Sequence, residues 1–218
     1  MDDYLSEREQ VDRIRQWWKE NGAWIIVGIG GGVLALAGWN WWQNHTITRA
    51  EQASTIYAVV AEAAMEERVE EARLGVDQLA AGHGSSPYLQ QGRLALAAAA
   101  VRAGDRDLAI DQLEQVFSDA RDPQLKLIAR LRLARLLAAE GNDERALGLV
   151  RGVDAGAFAA ALAEVEGDIL AARGDAAGAR DAYQQALAGA GPVGGIIDEE
   201  FVRLKLEALE NAAGGERS

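Results

Sequence analysis

The sequence predicts an all-α protein: a single transmembrane helix near the N-terminus, followed by an α-solenoid of stacked helical pairs. Three observations predict it. All six tryptophans lie between Trp17 and Trp42, and four of them sit in a 28-residue stretch, Asn21 to Thr48, that has no Asp, Glu, Lys or Arg. The rest of the chain is rich in alanine, the whole chain has three prolines, and no segment alternates as a strand would. A glycine followed by Asp or Asn recurs at Gly104, Gly141 and Gly174, at spacings of 37 and 33 residues.

The centre of the uncharged stretch, residues 23–42, holds fourteen apolar residues, five glycines and one Asn. Twenty residues at about 1.5 Å each make a helix of about 30 Å, which matches a bilayer's hydrocarbon core. Trp24 stands at one end and Trp39, Trp41 and Trp42 at the other, with Trp17 and Trp18 just before the span. Indole favours the membrane–water interface, so these six are expected as interfacial anchors. Gly28 and Gly32 form a small-residue pair that would let a second helix approach closely. The spacing does not fit a dinucleotide fingerprint, since the final glycine is missing and no strand precedes it.

Flanking charge gives an orientation. Arg8, Arg13, Arg15 and Lys19 precede the span, and only Arg49 follows within the next twenty residues. Basic residues stay on the cytoplasmic side, so the N-terminus is expected in the cytoplasm and the body outside it. A cleaved signal peptide is the rival, because Ala35-Leu36-Ala37 resembles a cleavage site. Against it, residues 1–22 carry four basic and six acidic residues, and the apolar run continues past Ala37 into the Trp cluster. The expected organisation is a cytoplasmic amphipathic segment over 1–22, a transmembrane helix over 23–42, a repeat domain outside the cytoplasm over 43–211 and a frayed tail over 212–218. Within the first segment, Ser6 to Glu20 reads as a short amphipathic helix with Ser6 and Glu9 at capping-box spacing.

From residue 49 onward the chain carries 18 basic and 28 acidic side chains. That balance opposes binding to nucleic acid and tight adhesion to an anionic membrane. There is no cysteine. A body of about 170 residues can bury enough apolar surface to fold without staples.

The repeat has a physical reading. Gly104, Gly141 and Gly174 each end an apolar helix, where glycine can adopt the left-handed conformation. The following Asp or Asn can cap the next helix. Ala109, Ala146 and Ala179 lie five residues after each glycine, and small residues there suit two antiparallel helices crossing closely. Gly167, Leu170, Gly174, Ala179, Tyr183 and Ala186 fall at the small and aromatic positions of the tetratricopeptide repeat. Ala134, Leu137, Gly141 and Ala146, then Ala97, Ala100, Gly104 and Ala109, keep part of that pattern. The repeat's usual Trp and terminal Pro are absent, though Pro123 and Pro192 lie near the expected boundaries. Residues 50–79 are expected as an opening helical pair, Ala81 to Pro87 as a loop, and Ile196 to Leu209 as a closing helix.

In this repeat class the first helix of each pair lines the concave face. The register places Gln91, Leu94, Ala98 and Val101 there, then Ile128, Leu131, Arg135 and Ala138, then Ala161, Glu164, Asp168 and Ala171. The first two units offer an apolar floor with Arg135 as a fixed positive charge, and the third offers two carboxylates. No cluster of Lys and Asn is present to clamp a C-terminal carboxylate, so an internal segment or a folded partner is expected. The competing reading makes Leu94, Ile128 and Leu131 core, because periodicity separates faces poorly in helices this apolar.

Catalytic chemistry is not apparent. His45 and His83 are the only histidines, and with no cysteine a zinc cluster is not expected. Gly84-Ser85-Ser86-Pro87 is not a nucleophile elbow. Glu62, Glu66, Glu67, Glu70 and Glu71 read as a solvated helix face partly relieved by Arg68 and Arg73, with a binding role as the alternative. No enzyme activity and no cofactor are expected.

The chain carries Glu9-Gln10-Val11, Trp17-Trp18, Glu20-Asn21-Gly22, a glycine-rich span ending in Gly38-Trp39, and Trp42. It continues with Ala53-Ser54, Tyr57, Leu131-Arg132-Leu133-Ala134-Arg135, Glu166-Gly167-Asp168 and Arg173-Gly174-Asp175. In these residues the chain resembles the YfgM family, ancillary to the SecYEG translocon, over nearly its full length. Residues 189–211 match least well. The resemblance implies a single-pass inner-membrane protein with a periplasmic repeat domain. It implies association with SecYEG and with a parvulin-type membrane-anchored periplasmic chaperone, help in passing newly translocated chains to periplasmic chaperones, and a link to a stress-response regulator. The residues alone reach a membrane-tethered interaction module; a structural scaffold in another envelope assembly is the alternative.

Overall fold

The structure is a computed structural model that describes residues 7–190 and 197–215, with side chains over 11–190 and 197–211. The described residues form helices and turns. In order these are α1 (Glu7–Met65), α2 (Val69–His83), α3 (Pro87–Ala103), α4 (Arg106–Asp119), α5 (Pro123–Ala139), α6 (Asp143–Val150), a 3-10 turn (Gly156–Phe158), α7 (Ala159–Ala172), α8 (Ala176–Gly189) and α9 (Glu199–Gly215). The chain divides into two units, Met1–Gln52 and Ala53–Ser218.

The first unit is the leading part of α1, the one helix among the described residues long and apolar enough to cross a membrane. Its apolar side chains are bare: Trp24 is 78% exposed and Leu34 75%. Such a surface is stable when lipid covers it. Polar side chains near the span satisfy themselves on the helix backbone. Asn21 Nδ2 donates to the Trp17 carbonyl at 3.0 Å and Thr46 Oγ1 to the Trp42 carbonyl at 2.9 Å. Trp41 stacks on His45, and Trp39 meets Trp42 with ring centroids 5.5 Å apart. The short helix expected over Ser6–Glu20 is not separate: α1 runs unbroken from Glu7 through the span. The capping pair of Ser6 and Glu9 lies outside the described side chains.

The second unit is a stack of antiparallel pairs. The end of α1 packs on α2 through a shared apolar cluster, and α3/α4, α5/α6 and α7/α8 follow as the three repeats. The three turn glycines have φ of 81°, 75° and 78°. At each, the amide after the glycine bonds back to the carbonyl five residues earlier: Asp105 to Ala100 at 2.8 Å, Asn142 to Leu137 at 2.8 Å, Asp175 to Leu170 at 2.9 Å. This closes the helix end with its last carbonyls satisfied. Asp105 and Asp175 then cap the next helices through their side chains, whereas Asn142 makes no side-chain cap bond.

Two expected boundaries shift. The loop begins only at Gly84, because α2 continues through His83, and Pro87 belongs to α3. Proline fits the first helical position, where its missing N–H costs nothing, and the Ser86 hydroxyl accepts from the Tyr88 amide at 3.3 Å. At the other end, α9 starts at Glu199 and its backbone is helical to Gly215, into the expected tail. Pro192 and Ile196 lie outside the described residues.

The turn from α1 to α2 needs a left-handed residue, and Glu67 provides it with a φ of 58°. Arg102 at the end of α3 holds this turn. Its Nη2 donates to the Ala64 carbonyl at 2.6 Å and its Nε lies 3.4 Å from Glu67 Oε1.

Two apolar clusters fill the body. One joins Ala53, Val60, Ala72, Val76, Leu79, Leu89, Leu96 and Ala99 across α1, α2 and α3. The other runs from Leu94, Ala97 and Ala100 of α3 through to Val202 of α9. Each fully buried Leu, Ile or Val is worth about 1.5–3 kcal/mol. Ion pairs such as Arg106–Glu140, Arg151–Glu166 and Arg173–Glu144 stand at the surface between neighbouring elements. Exposed pairs of this kind contribute about 0–1 kcal/mol each, so the apolar stripes, not the charges, hold the stack.

A candidate interaction groove

The inner side of the first two repeats forms an open groove of about 450 Å³. α3 supplies Ala97, Ala98, Val101 and Arg102, α4 supplies Leu113, and α5 supplies Arg132, Arg135, Leu136 and Ala139. The floor is aliphatic. Val101 is 46% exposed within it, an unusual setting for a large apolar side chain on a helix that is otherwise well buried. The rim is positive: three arginines line the groove and no carboxylate does. Two of the three are engaged. Arg102 holds the α1–α2 turn, and Arg135 Nη2 lies 3.4 Å from Glu164 Oε2. Arg132 is exposed and has no hydrogen bond or ion pair with any described residue.

The expected concave residues separate into three groups. Ala98, Val101 and Arg135 line the groove. Gln91 is half-buried outside it, and Ile128, Ala138 and Ala171 pack half-buried against the core. Leu94, Leu131 and Ala161 belong to the core itself. The competing core reading therefore describes Leu94 and Leu131. Their helices are buried from several sides at once, which is why a single transferred register could not tell groove from core. Sequence reasoning missed Arg132, although it stands three residues before Arg135 and shares its helix face.

The two carboxylates expected in the third unit are not free. Lys205 of α9 donates to Glu164 Oε1 at 2.9 Å and to Asp168 at 2.8 and 2.9 Å. The Tyr183 hydroxyl donates to Asp168 Oδ1 at 2.8 Å, and the Lys205 ammonium sits 4.7 Å from the Phe201 ring centroid. A buried carboxylate is costly unless paired, and Lys205 supplies the pairing. The closing helix thus ties both carboxylates into a part-buried ion network within the chain.

Burial first, then the bond to Asp168 and the negative charge of Asp168 and Glu164, push the Tyr183 phenol above its ordinary range. The fold favours its protonated form. This contribution to stability is complete below the unfolded tyrosine pKa of about 10 and fades as pH rises past it. In an alkaline titration followed by ultraviolet difference spectroscopy, Tyr183 should ionise above the range of a free tyrosine. Tyr183→Phe should delete that late step; a late step that survives the substitution would refute the assignment.

The acidic residues around the α1–α2 turn are solvated and locally paired. Arg68 meets Glu66 and Glu71, and Arg73 meets Glu70. Gly28 and Gly32 face open space: outside the adjoining turns of their own helix, no described residue lies within 4 Å of where a Cβ would stand.

Comparison with known proteins agrees with this architecture. Residues 15–211 match the family model of the tetratricopeptide repeat-like domain. A protein of Escherichia coli (strain K12) named ancillary SecYEG translocon subunit is 30% identical over 184 residues, covering 84% of this chain and 88% of that protein. One of the same name from Haemophilus influenzae is 27% identical over 205 residues, covering 94% and 98%. Another, from Neisseria gonorrhoeae, is 25% identical over 208 residues, covering 95% and 99%. No solved structure matches. With the repeat glycines, the crossing alanines and the apolar leading helix all in place, this chain belongs to the YfgM family of tetratricopeptide repeat-like proteins.

Proposed function

We propose that the protein is a non-catalytic, membrane-anchored interaction module that associates with the SecYEG translocon and helps pass newly translocated chains to periplasmic chaperones. The observation that carries this reading is the pairing of one bare apolar helix with an all-helical repeat body whose inner face opens an apolar groove. The names of the relatives supply the translocon. Residues 1–22 lie in the cytoplasm, 23–42 cross the inner membrane with Trp24, Trp39, Trp41 and Trp42 at its faces, and 43–211 stand in the periplasm. The excess of Lys and Arg before the span supports this orientation. Gly28 and Gly32 offer a close-approach face to a neighbouring helix. A parvulin-type membrane-anchored chaperone is the second partner.

The full chain, purified from inner membranes in mild detergent, should bring down translocon subunits and a foldase. Protease added to spheroplasts should remove the body. Recovery of another envelope assembly without either partner would favour the scaffold reading, and a protease-resistant body in intact spheroplasts would reverse the orientation.

A further inference from the structure

We infer that the groove between α3 and α5 holds an acidic, apolar segment of a partner protein. A large apolar side chain seats on Val101, Leu113 and Leu136, and a carboxylate pairs with Arg132. This rests on the reading of the body as an interaction module and names the chemistry that its groove selects.

Charge complementarity carries the inference. From residue 49 onward the chain has ten more acidic than basic side chains, yet the groove is lined by three arginines and no carboxylate. Its floor is aliphatic, and its volume of about 450 Å³ falls in the range of about 300–1,000 Å³ typical of binding pockets. Arg102 and Arg135 are held by partners within the chain, but Arg132 is exposed and unengaged. Its guanidinium can take a carboxylate through two parallel N–H bonds. An apolar neutral segment would gain the floor alone. A basic segment would meet Arg132 and be repelled. A segment with both an apolar side chain and a carboxylate satisfies floor and rim together. Such a groove suits an internal stretch of chain, since nothing in it surrounds a terminal carboxylate on several sides.

The test uses the full chain in detergent micelles and short fluorescent peptides read by anisotropy. One peptide combines Leu and Phe with Asp, a second replaces Asp by Gln, a third replaces it by Lys, and a fourth keeps Asp but replaces Leu and Phe by Ser. The Leu-Phe-Asp peptide should bind best, and binding should weaken as salt rises. Arg132→Glu should weaken it about tenfold, the size of one lost charge contact, and should shift preference toward the Lys peptide. Because Arg132 pairs with no described residue, that variant should melt like the parent. Val101→Ser, also exposed, should weaken the Leu-Phe-Asp peptide without changing the charge preference. Equal binding of the Asp and Gln peptides, or an Arg132→Glu variant that binds the Asp peptide as the parent does, overturns the inference. So does equal binding of the fourth peptide, which would make the groove a plain anion site, and displacement of the first by anionic lipid vesicles, which would make the occupant a headgroup. If translocon subunits copurify while the peptides show no charge preference, the groove assignment alone fails. If Arg132-dependent binding holds but no translocon subunit copurifies, the translocon reading fails and the groove stands.

Discussion

Leu131→Glu should destabilise the repeat body by about 3–5 kcal/mol, because it leaves a carboxylate buried with no partner. Leu131 is 5% exposed, on the middle of α5 within the main apolar cluster. A typical domain has only about 5–15 kcal/mol in total, so the loss should lower the thermal midpoint sharply or abolish the transition. Burial raises the introduced carboxyl's pKa, so the folded state holds its proton more tightly than the unfolded chain, and part of the loss should return as pH falls. Circular dichroism melts of the full chain in mild detergent provide the measurement. Arg132→Glu, one residue away but exposed, is the natural control. An unchanged melt for Leu131→Glu would mean that this residue faces the groove after all.

Gly167→Val should also destabilise the fold, by about 1–3 kcal/mol, through overpacking. A Cβ on Gly167 would stand 2.5 Å from the Tyr183 ring, which is itself buried and tied to Asp168 through its hydroxyl. Neither the ring nor the α7/α8 crossing can give way easily. Gly148 gives the opposite expectation. It lies exposed in α6, with nothing within 4 Å of its missing Cβ, so Gly148→Ala should stabilise by about 0.5–1 kcal/mol through helix propensity alone. Opposite shifts in the two melts would establish that the repeat register, and not a general dislike of glycine replacement, controls stability. Ala146 and Ala179 are both fully buried in the main apolar cluster.

Much of this was legible because it is local. A glycine that must turn left-handed, an Asp that caps three residues on, and an alanine five residues after the glycine are all encoded within one turn of chain. Gly104, Gly141 and Gly174 sit where the spacing put them. The apolar span is equally local. The groove was only partly legible. Ala98, Val101 and Arg135 line it, but Leu94 and Leu131 of the same helices are core. α5 and α7 are apolar on nearly every side, so no period marks which stripe meets solvent. The pairing of Lys205 with Glu164 spans 41 residues and depends on where α9 docks, which no spacing rule reaches. The role of Arg102 is hidden in the same way: its partner is a backbone carbonyl, that of Ala64, and any residue would supply one.

Helix α3 is a party wall. Leu89, Leu96 and Ala99 serve the cluster it shares with α1 and α2, while Leu94, Ala97 and Ala100 serve the cluster that continues to α9. Contacts in such a stack are between near neighbours in sequence, so opening need not be all-or-none. Amides of α2 can exchange with deuterium through an excursion that peels this helix from α3 and leaves the later pairs closed. Those of α5 and α7 are sealed on both sides and exchange only when the whole stack gives way. The wall itself belongs to both populations, and its residues facing α2 and those facing α4 alternate around the helix instead of dividing it end to end.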